Sequence, residues 1–138
     1  MIQKLLEVIN SANPLYEATF EESHMMNVAV DSIKRNLPFA YIEEYRSGKY
    51  SSKGFVKDKT TKIEIYFCRF AALDSTALQR EEIRKQIEME AVEPFMESYN
   101  NSGYFKQVNE WDFFTPIPRF DANEVSIRLS FDCIIDRC

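Results

Sequence analysis

The spacing of hydrophobic residues at the start of the chain predicts a short helix. Ile2, Leu5, Leu6 and Ile9 follow the i, i+3, i+4, i+7 spacing that places side chains on one face of an α-helix. Pro14 ends this pattern, because proline disfavours helical backbone in the residue before it. We therefore expect a short N-terminal helix with one apolar face.

Two segments rich in aromatic and β-branched residues predict strands at residues 39–46 and 61–71. In the second segment both alternating sets of positions are hydrophobic, which is typical of a strand covered on both faces in the middle of a sheet. The intervening residues 49–60 are too many for a tight turn. Two interpretations stay open for them: an excursion loop, or a ribbon that extends beyond the sheet. A shorter alternation at residues 26–30 predicts a further strand.

The strongest helical pattern begins after Asp74 and runs to about Tyr99. Asp74 or the serine that follows it can cap the first turn, and Thr76 with Gln79 has the spacing of a capping box. Pro94 lacks a backbone N–H and clashes with the preceding turn. We therefore expect a kink or break in the turn before Pro94.

The last third of the chain predicts two strands, at residues 111–114 and 124–135. The second alternates strictly between apolar and polar residues, which predicts one buried and one solvent-exposed face. The order of elements indicates an α+β fold. We expect a mostly antiparallel sheet of four to five strands, with the long helix packed on one face and a short N-terminal helix.

Composition indicates one compact domain over residues 1–138, because 45% of the residues are hydrophobic and there are only three Gly and five Pro. The three glycines form no phosphate-binding loop. Cys68 and Cys133 fall in predicted strands that could bring them together, and are expected to be buried structural thiols. His24 is the only histidine, so we predict no metal site, no cofactor and no enzymatic activity. The enzymatic alternative is a pocket formed by His24, Glu43 and Glu44.

Charge is distributed unevenly along the chain. The net charge is −5, but residues 46–62 contain six basic residues and one acid, which gives +5 and leaves −10 for the rest. One interpretation is a solvated loop, and the other is a contact arm for an acidic neighbouring subunit or a nucleic-acid backbone. The predicted partner-binding residues are Arg46, Lys49, Lys53, Lys57, Lys59 and Lys62.

Four segments carry a resemblance to a family: PFAYIEEYRSGKYS, KTTKIEIYFCRF, ALQREEIRKQIEMEAVEPFMESY and PRFDANEVSIRLSFDC. Together they resemble small proteins encoded in prophages of gut Bacteroidetes. Their layout is similar to that of phage tail terminator and tail completion proteins, which join head and tail. That layout is an N-terminal helix, an extended strand pair, a packed helix and two closing strands.

The resemblance implies a structural protein of the virion that forms a homo-oligomeric ring, commonly a hexamer. Such a ring binds tail-tube and head-connector proteins, and nonspecific contact with DNA can occur in its lumen. The resemblance implies assembly in the bacterial cytoplasm and no membrane partner. It implies no catalytic residues, and it assigns the basic arm to a subunit interface or to the lumen. The alternative is an intracellular, non-catalytic binding adaptor that uses the same arm to hold an acidic protein or nucleic acid.

Overall fold

The computed structural model describes residues 1–21, 37–45, 47–53, 56–72, 74–115 and 124–136. The strand predicted at residues 26–30 lies outside the described residues. The elements, in chain order, are α1 (Ile2–Ala12), β1 (Glu17–Glu21), β2 (Phe39–Glu43), β3 (Gly48–Lys53), β4 (Val56–Phe70), α2 (Ala77–Ile87), a π-helical segment (Glu88–Val92), α3 (Glu93–Asn101), β5 (Asp112–Phe114) and β6 (Glu124–Ile134).

The described strands form one six-stranded sheet in the order β1-β2-β4-β6-β5, and β3 pairs with the first part of β4. β1 runs parallel to β2, and the other four described pairs are antiparallel. These pairings confirm the α+β fold and the mostly antiparallel sheet. The sheet exceeds the expected four to five strands because β1 was missed and β3 was left open between loop and ribbon. β1 has the sequence EATFE, and glutamate and alanine are depleted in strands.

The main hydrophobic core lies between one face of the sheet and the helices. Phe95 of α3 is at its centre, completely buried. Its ring lies 5.7 to 6.1 Å from the rings of Phe67, Tyr99, Phe131 and Trp111. Aromatic pairs at such distances contribute stability beyond the area that they bury.

The long helix begins as the sequence predicts. Thr76 is the N-cap: its hydroxyl accepts the Gln79 N–H at 3.2 Å, and the Gln79 side chain accepts the Thr76 N–H at 2.8 Å. The predicted break takes the form of the π-helical segment, which separates α2 from α3 just before Pro94. Proline cannot donate to the carbonyl four residues earlier, that of Glu90. The side-chain amide of Asn13 donates to that carbonyl instead, at 3.0 Å, and so joins the end of α1 to the break.

The opposite face of the sheet is buried at its centre as well. Phe39, Tyr41, Tyr66 and Cys68 form a second cluster there, so β4 is covered on both faces, as predicted. The expectation of a solvent-exposed face on β6 is wrong for much of that strand. Its polar residues Glu124, Ser126 and Ser130 are buried, because β6 lies beside β4 and shares its covered outer face.

The two described cysteines do not meet, although their strands pair. Cys68 lies opposite Ser126 in the register and Cys133 lies opposite Thr61, and each belongs to a different hydrophobic cluster. Both thiols are free and buried, as predicted. Burial raises the pKa of each, so neither has the lowered pKa of a reactive thiol.

Candidate functional site

The basic segment of the sequence forms a two-stranded ribbon. Gly48–Lys53 pairs with Val56–Thr61 in antiparallel register, so only residues 54 and 55 separate the strands. Among the described residues, the pairing of β4 with β6 begins at Thr60. β4 therefore continues four residues past β6, which corresponds to a projection of about 13 Å at about 3.3 Å per residue. Of the two interpretations that the sequence left open, the ribbon is the one observed. We call residues 48–53 and 56–61 the basic ribbon.

The structure locates three of the six predicted partner-binding side chains. Lys49 and Lys59 lie on the basic ribbon and Lys62 lies at its base, and all three are exposed to solvent. Lys53 and Lys57 belong to β3 and β4 by their backbone, but their side chains lie outside the described residues. Arg46 lies outside them too. Three of the six predicted basic side chains are therefore available to a partner in the described part of the chain.

Aromatic rings surround Lys59. Its ammonium group lies 5.9 Å from the centre of the Tyr45 ring and 5.8 Å from that of Tyr50, which is the cross-strand neighbour of Lys59. Such cation–π contacts restrain a lysine that would otherwise move freely. Tyr50 remains 84% exposed, so its ring is available to a partner.

Gly48 allows the ribbon to leave the sheet. It lies opposite Thr61, and a side-chain carbon at this position would collide with the backbone carbonyl oxygen of Thr60. A larger residue would force the two strands apart where the ribbon begins. Glycine is therefore required at position 48, because the backbones of the two strands approach each other closely.

A polar cleft of about 330 Å³ lies beside the base of the ribbon. Glu43, Glu44 and Glu64 line it, and the basic residues Lys62 and Arg128 face them. Basic side chains therefore lie near the carboxylates of this cleft and offset their negative charge. In the described part of the chain, no group of three or more His, Cys, Asp or Glu residues could hold a metal ion. The remaining member of the enzymatic alternative, the single histidine at position 24, lies outside the described residues.

A second concave surface lies on the helix side of the sheet, at its β5 edge. This groove of about 640 Å³ runs between the π-helical segment, α3 and β5. Its apolar part is formed by Val92, Met96, Trp111, Phe113, Ile127 and Leu129, and its acidic part by Glu88, Glu93, Glu110 and Asp112. We call this surface the acidic groove, because its described lining contains four acidic residues and no basic one.

The aromatic residues of β5 point to opposite sides of the sheet. Phe114 lies opposite Arg128, whose guanidinium is 4.6 Å from the centre of its ring. Phe113 lies on the groove side and is 70% exposed. Sequence reasoning identified the strand but missed the groove. The usable signal was two adjacent aromatic residues in a very short strand, flanked by acids, because only one of them can face the core.

The wall of the acidic groove is anchored through Glu90. The Arg69 guanidinium donates to the Glu90 carboxylate at 2.6 Å, and Gln86 donates to its other oxygen at 2.9 Å. Burial alone would raise the pKa of Glu90, but the hydrogen bonds from Gln86 and Arg69 and the Arg69 charge hold it below its usual value. The Tyr16 hydroxyl also donates to Glu90, at 3.2 Å, and burial raises the pKa of Tyr16 to about 12.

The chain thus presents a basic ribbon at one place and an acidic groove at another. Neither a protein-family model nor a curated protein sequence matches this chain. No helix in the described part of the chain is both long enough and apolar enough to cross a membrane. Function must therefore be inferred from the geometry and charge of these two surfaces.

Proposed function

We propose that this chain is a non-enzymatic structural protein of the phage tail terminator or neck type. In this proposal, copies assemble into a ring that joins the tail tube to the head. The observation that carries the proposal is the basic ribbon, which continues past the sheet and exposes Lys49, Tyr50 and Lys59. Apart from the additional strands β1 and β3, the order of the described elements follows the layout that the resemblance implies, which supports the proposal.

The basic ribbon has a physical reason to bind a partner. A two-stranded hairpin is marginally stable by itself in water, and a large exposed aromatic ring gains free energy when a partner covers it. A protruding ribbon that contacts a different patch on the next copy makes a heterologous interface. Repetition of such an interface gives a ring when the rotation between copies closes.

The ribbon can also contact DNA in the lumen of such a ring. Its lysines would meet phosphates without reading base sequence, because no base-reading motif accompanies them. The remainder of the chain carries a net charge of −10, so DNA would be repelled elsewhere. This contact would weaken steeply with increasing salt.

The proposal is tested by sedimentation and negative-stain imaging of the full chain over a concentration series. We expect closed rings of one stoichiometry. The double variant Lys49→Glu, Lys59→Glu should reduce ring formation. The control Lys4→Glu, Lys85→Glu changes the net charge equally but lies on α1 and α2, and should leave the rings intact. A chain that remains monomeric at the highest attainable concentration contradicts the proposal.

The adaptor alternative predicts a different outcome of the same experiment. A monomeric chain that binds a labelled DNA duplex or an acidic protein, and loses that binding in the Lys49→Glu, Lys59→Glu variant, would support the adaptor. The genes beside the one encoding this chain give an independent test. Capsid, portal and tape-measure genes would support the ring, and a metabolic operon would contradict it.

A further inference from the structure

We infer that the acidic groove is the receptor for the basic ribbon of a second copy of this chain. The inference rests on the proposed function, because it specifies which two surfaces meet in the ring. It replaces a general attraction between a basic arm and an acidic neighbouring subunit with one defined pair of surfaces.

The acidic groove has the composition of a protein-binding site. Its floor contains Met96, Trp111 and Phe113, and aromatic residues and methionine are enriched where proteins bind one another. Phe113 is 70% exposed in the single chain. An occupant with an apolar or aromatic residue would cover this ring and remove it from water.

The charges around the floor select a basic occupant. Glu88, Glu93, Glu110 and Asp112 are all exposed. Among the described residues, none of the four forms an ion pair within the chain. The acidic groove therefore has negative charge available to a partner, and the chemistry that fits is an extended segment with lysines beside an aromatic ring.

The basic ribbon provides this chemistry. Lys49, Tyr50 and Lys59 are exposed on it, with Tyr50 and Lys59 side by side across the two strands. Tyr50 suits the apolar floor, since a tyrosine ring gives a large rigid contact at low entropic cost. Lys59, which lies beside Tyr50 on the same face of the ribbon, suits the carboxylates at the rim. Charge and apolar character thus match between two surfaces of one chain.

A chain cannot fill its own groove with its own ribbon. Leu129 in the groove floor lies opposite Ile65, whereas Lys59, beside Tyr50 on the ribbon, lies six residues before Ile65 on β4. At about 3.3 Å per residue, Tyr50 and Lys59 lie about 20 Å from the groove along the strand, and the ribbon continues away from it. The contact must therefore join two copies, and it uses different patches on each.

A charge-swap experiment tests this pair of surfaces. The ribbon variant is Lys49→Glu, Lys59→Glu, and the groove variant is Glu93→Lys, Asp112→Lys. Alone, each variant has surfaces of like charge, so we expect its self-association to weaken by at least about tenfold. When the two are mixed, the acidic ribbon of one matches the basic groove of the other, and the reverse pair matches as well. We expect the mixture, and the chain carrying all four substitutions, to associate again.

Cross-linking gives a direct readout that does not depend on the strength of association. A photoreactive phenylalanine analogue at position 50 should form inter-chain cross-links to peptides that contain Trp111 or Met96. Cross-links confined to other surfaces would contradict the inference. The Lys4→Glu, Lys85→Glu variant serves as the control for charge, and thermal melting of every variant shows whether it is folded.

The outcomes separate this inference from the proposed function. If the ribbon variant loses association but the groove variant keeps it, the ring proposal stands and the groove is not the receptor. If both lose association and the mixture does not recover it, the pairing of ribbon with groove is also wrong. If the unmodified chain does not associate at all, the proposed function itself fails.

Discussion

The basic ribbon and the acidic groove differ in what holds them in place. The ribbon consists of two strands with exposed side chains. In the described part of the chain, residues 56–59 of β4 pair with β3 alone. The acidic groove lies directly on the main core, where the Trp111 ring is 4.7 Å from that of Phe131. Changes in the ribbon should therefore alter association and spare folding. Changes in the core residues of the groove floor should alter both association and folding. Changes in its exposed residues and in its charged rim should alter association alone.

The largest effect on stability is expected from Trp111→Ala. This ring contacts Phe95, Tyr99 and Phe131 at 4.7 to 6.1 Å, so its removal leaves a cavity beside the core. We expect the free energy of unfolding to fall by about 3 kcal/mol in urea titrations. Phe113→Ala, on the same groove but exposed, is the matched control and should change stability by less than about 0.5 kcal/mol. Equal losses of stability in the two variants would contradict the assignment of Trp111 to the core and of Phe113 to the surface.

A smaller and more local loss is expected from Gly48→Ala. The added methyl group would collide with the Thr60 carbonyl and separate the strands at the base of the ribbon. We expect a loss of about 2 kcal/mol, measured as roughly thirtyfold faster hydrogen exchange in β3 with unchanged exchange in β6. Ser47→Ala, the adjacent exposed position, should leave exchange in β3 unchanged. If exchange increased equally in both strands, the ribbon and the sheet would be one cooperative unit.

A loss that depends on pH is expected from Glu90→Gln, which removes the charge pair with Arg69 at the groove wall. We expect a decrease in stability of about 1 kcal/mol at neutral pH. The folded-state pKa of Glu90 lies below its ordinary value of 4.5, so the stabilisation is complete above that pH and is lost as pH falls through the folded-state pKa. Melting curves from neutral to acidic pH should therefore converge for the two proteins. A constant difference over the whole range would mean that the ion pair is not its source.

The parts of the fold that sequence predicts well are those with local causes. The capping box of Thr76 and Gln79 and the break before Pro94 depend only on nearby residues, and both were predicted. The Asn13 contact with the Glu90 carbonyl joins residues 77 positions apart, and no local sequence pattern predicts it. The burial of Ser126 depends on the covered outer face of the sheet and not on the alternation within β6.

The candidate site likewise has one part that local sequence predicts and one part that it does not. A local excess of lysines was enough to predict the basic segment, because charge can be counted along the chain. Its form as a ribbon required the pairing of β3 with β4, which the sequence left open. The acidic groove combines Glu88 and Met96 from the helical layer with Phe113 from β5 and Ile127 from β6. Three separate stretches of the sequence build it, so only the fold reveals it.

We expect Tyr50→Ala to have the smallest effect on stability. It also distinguishes the two surfaces most clearly. The ring is 84% exposed, so its loss should change the free energy of unfolding by less than about 0.5 kcal/mol. Association should nevertheless weaken by about tenfold, because buried tyrosines contribute strongly to protein interfaces. Tyr50→Phe retains the ring and should associate as the unmodified chain does, and Ser51→Ala controls for a change elsewhere on the ribbon. Concentration-dependent sedimentation measures all three. If Tyr50→Ala associates normally, the ribbon does not use this ring to contact its partner.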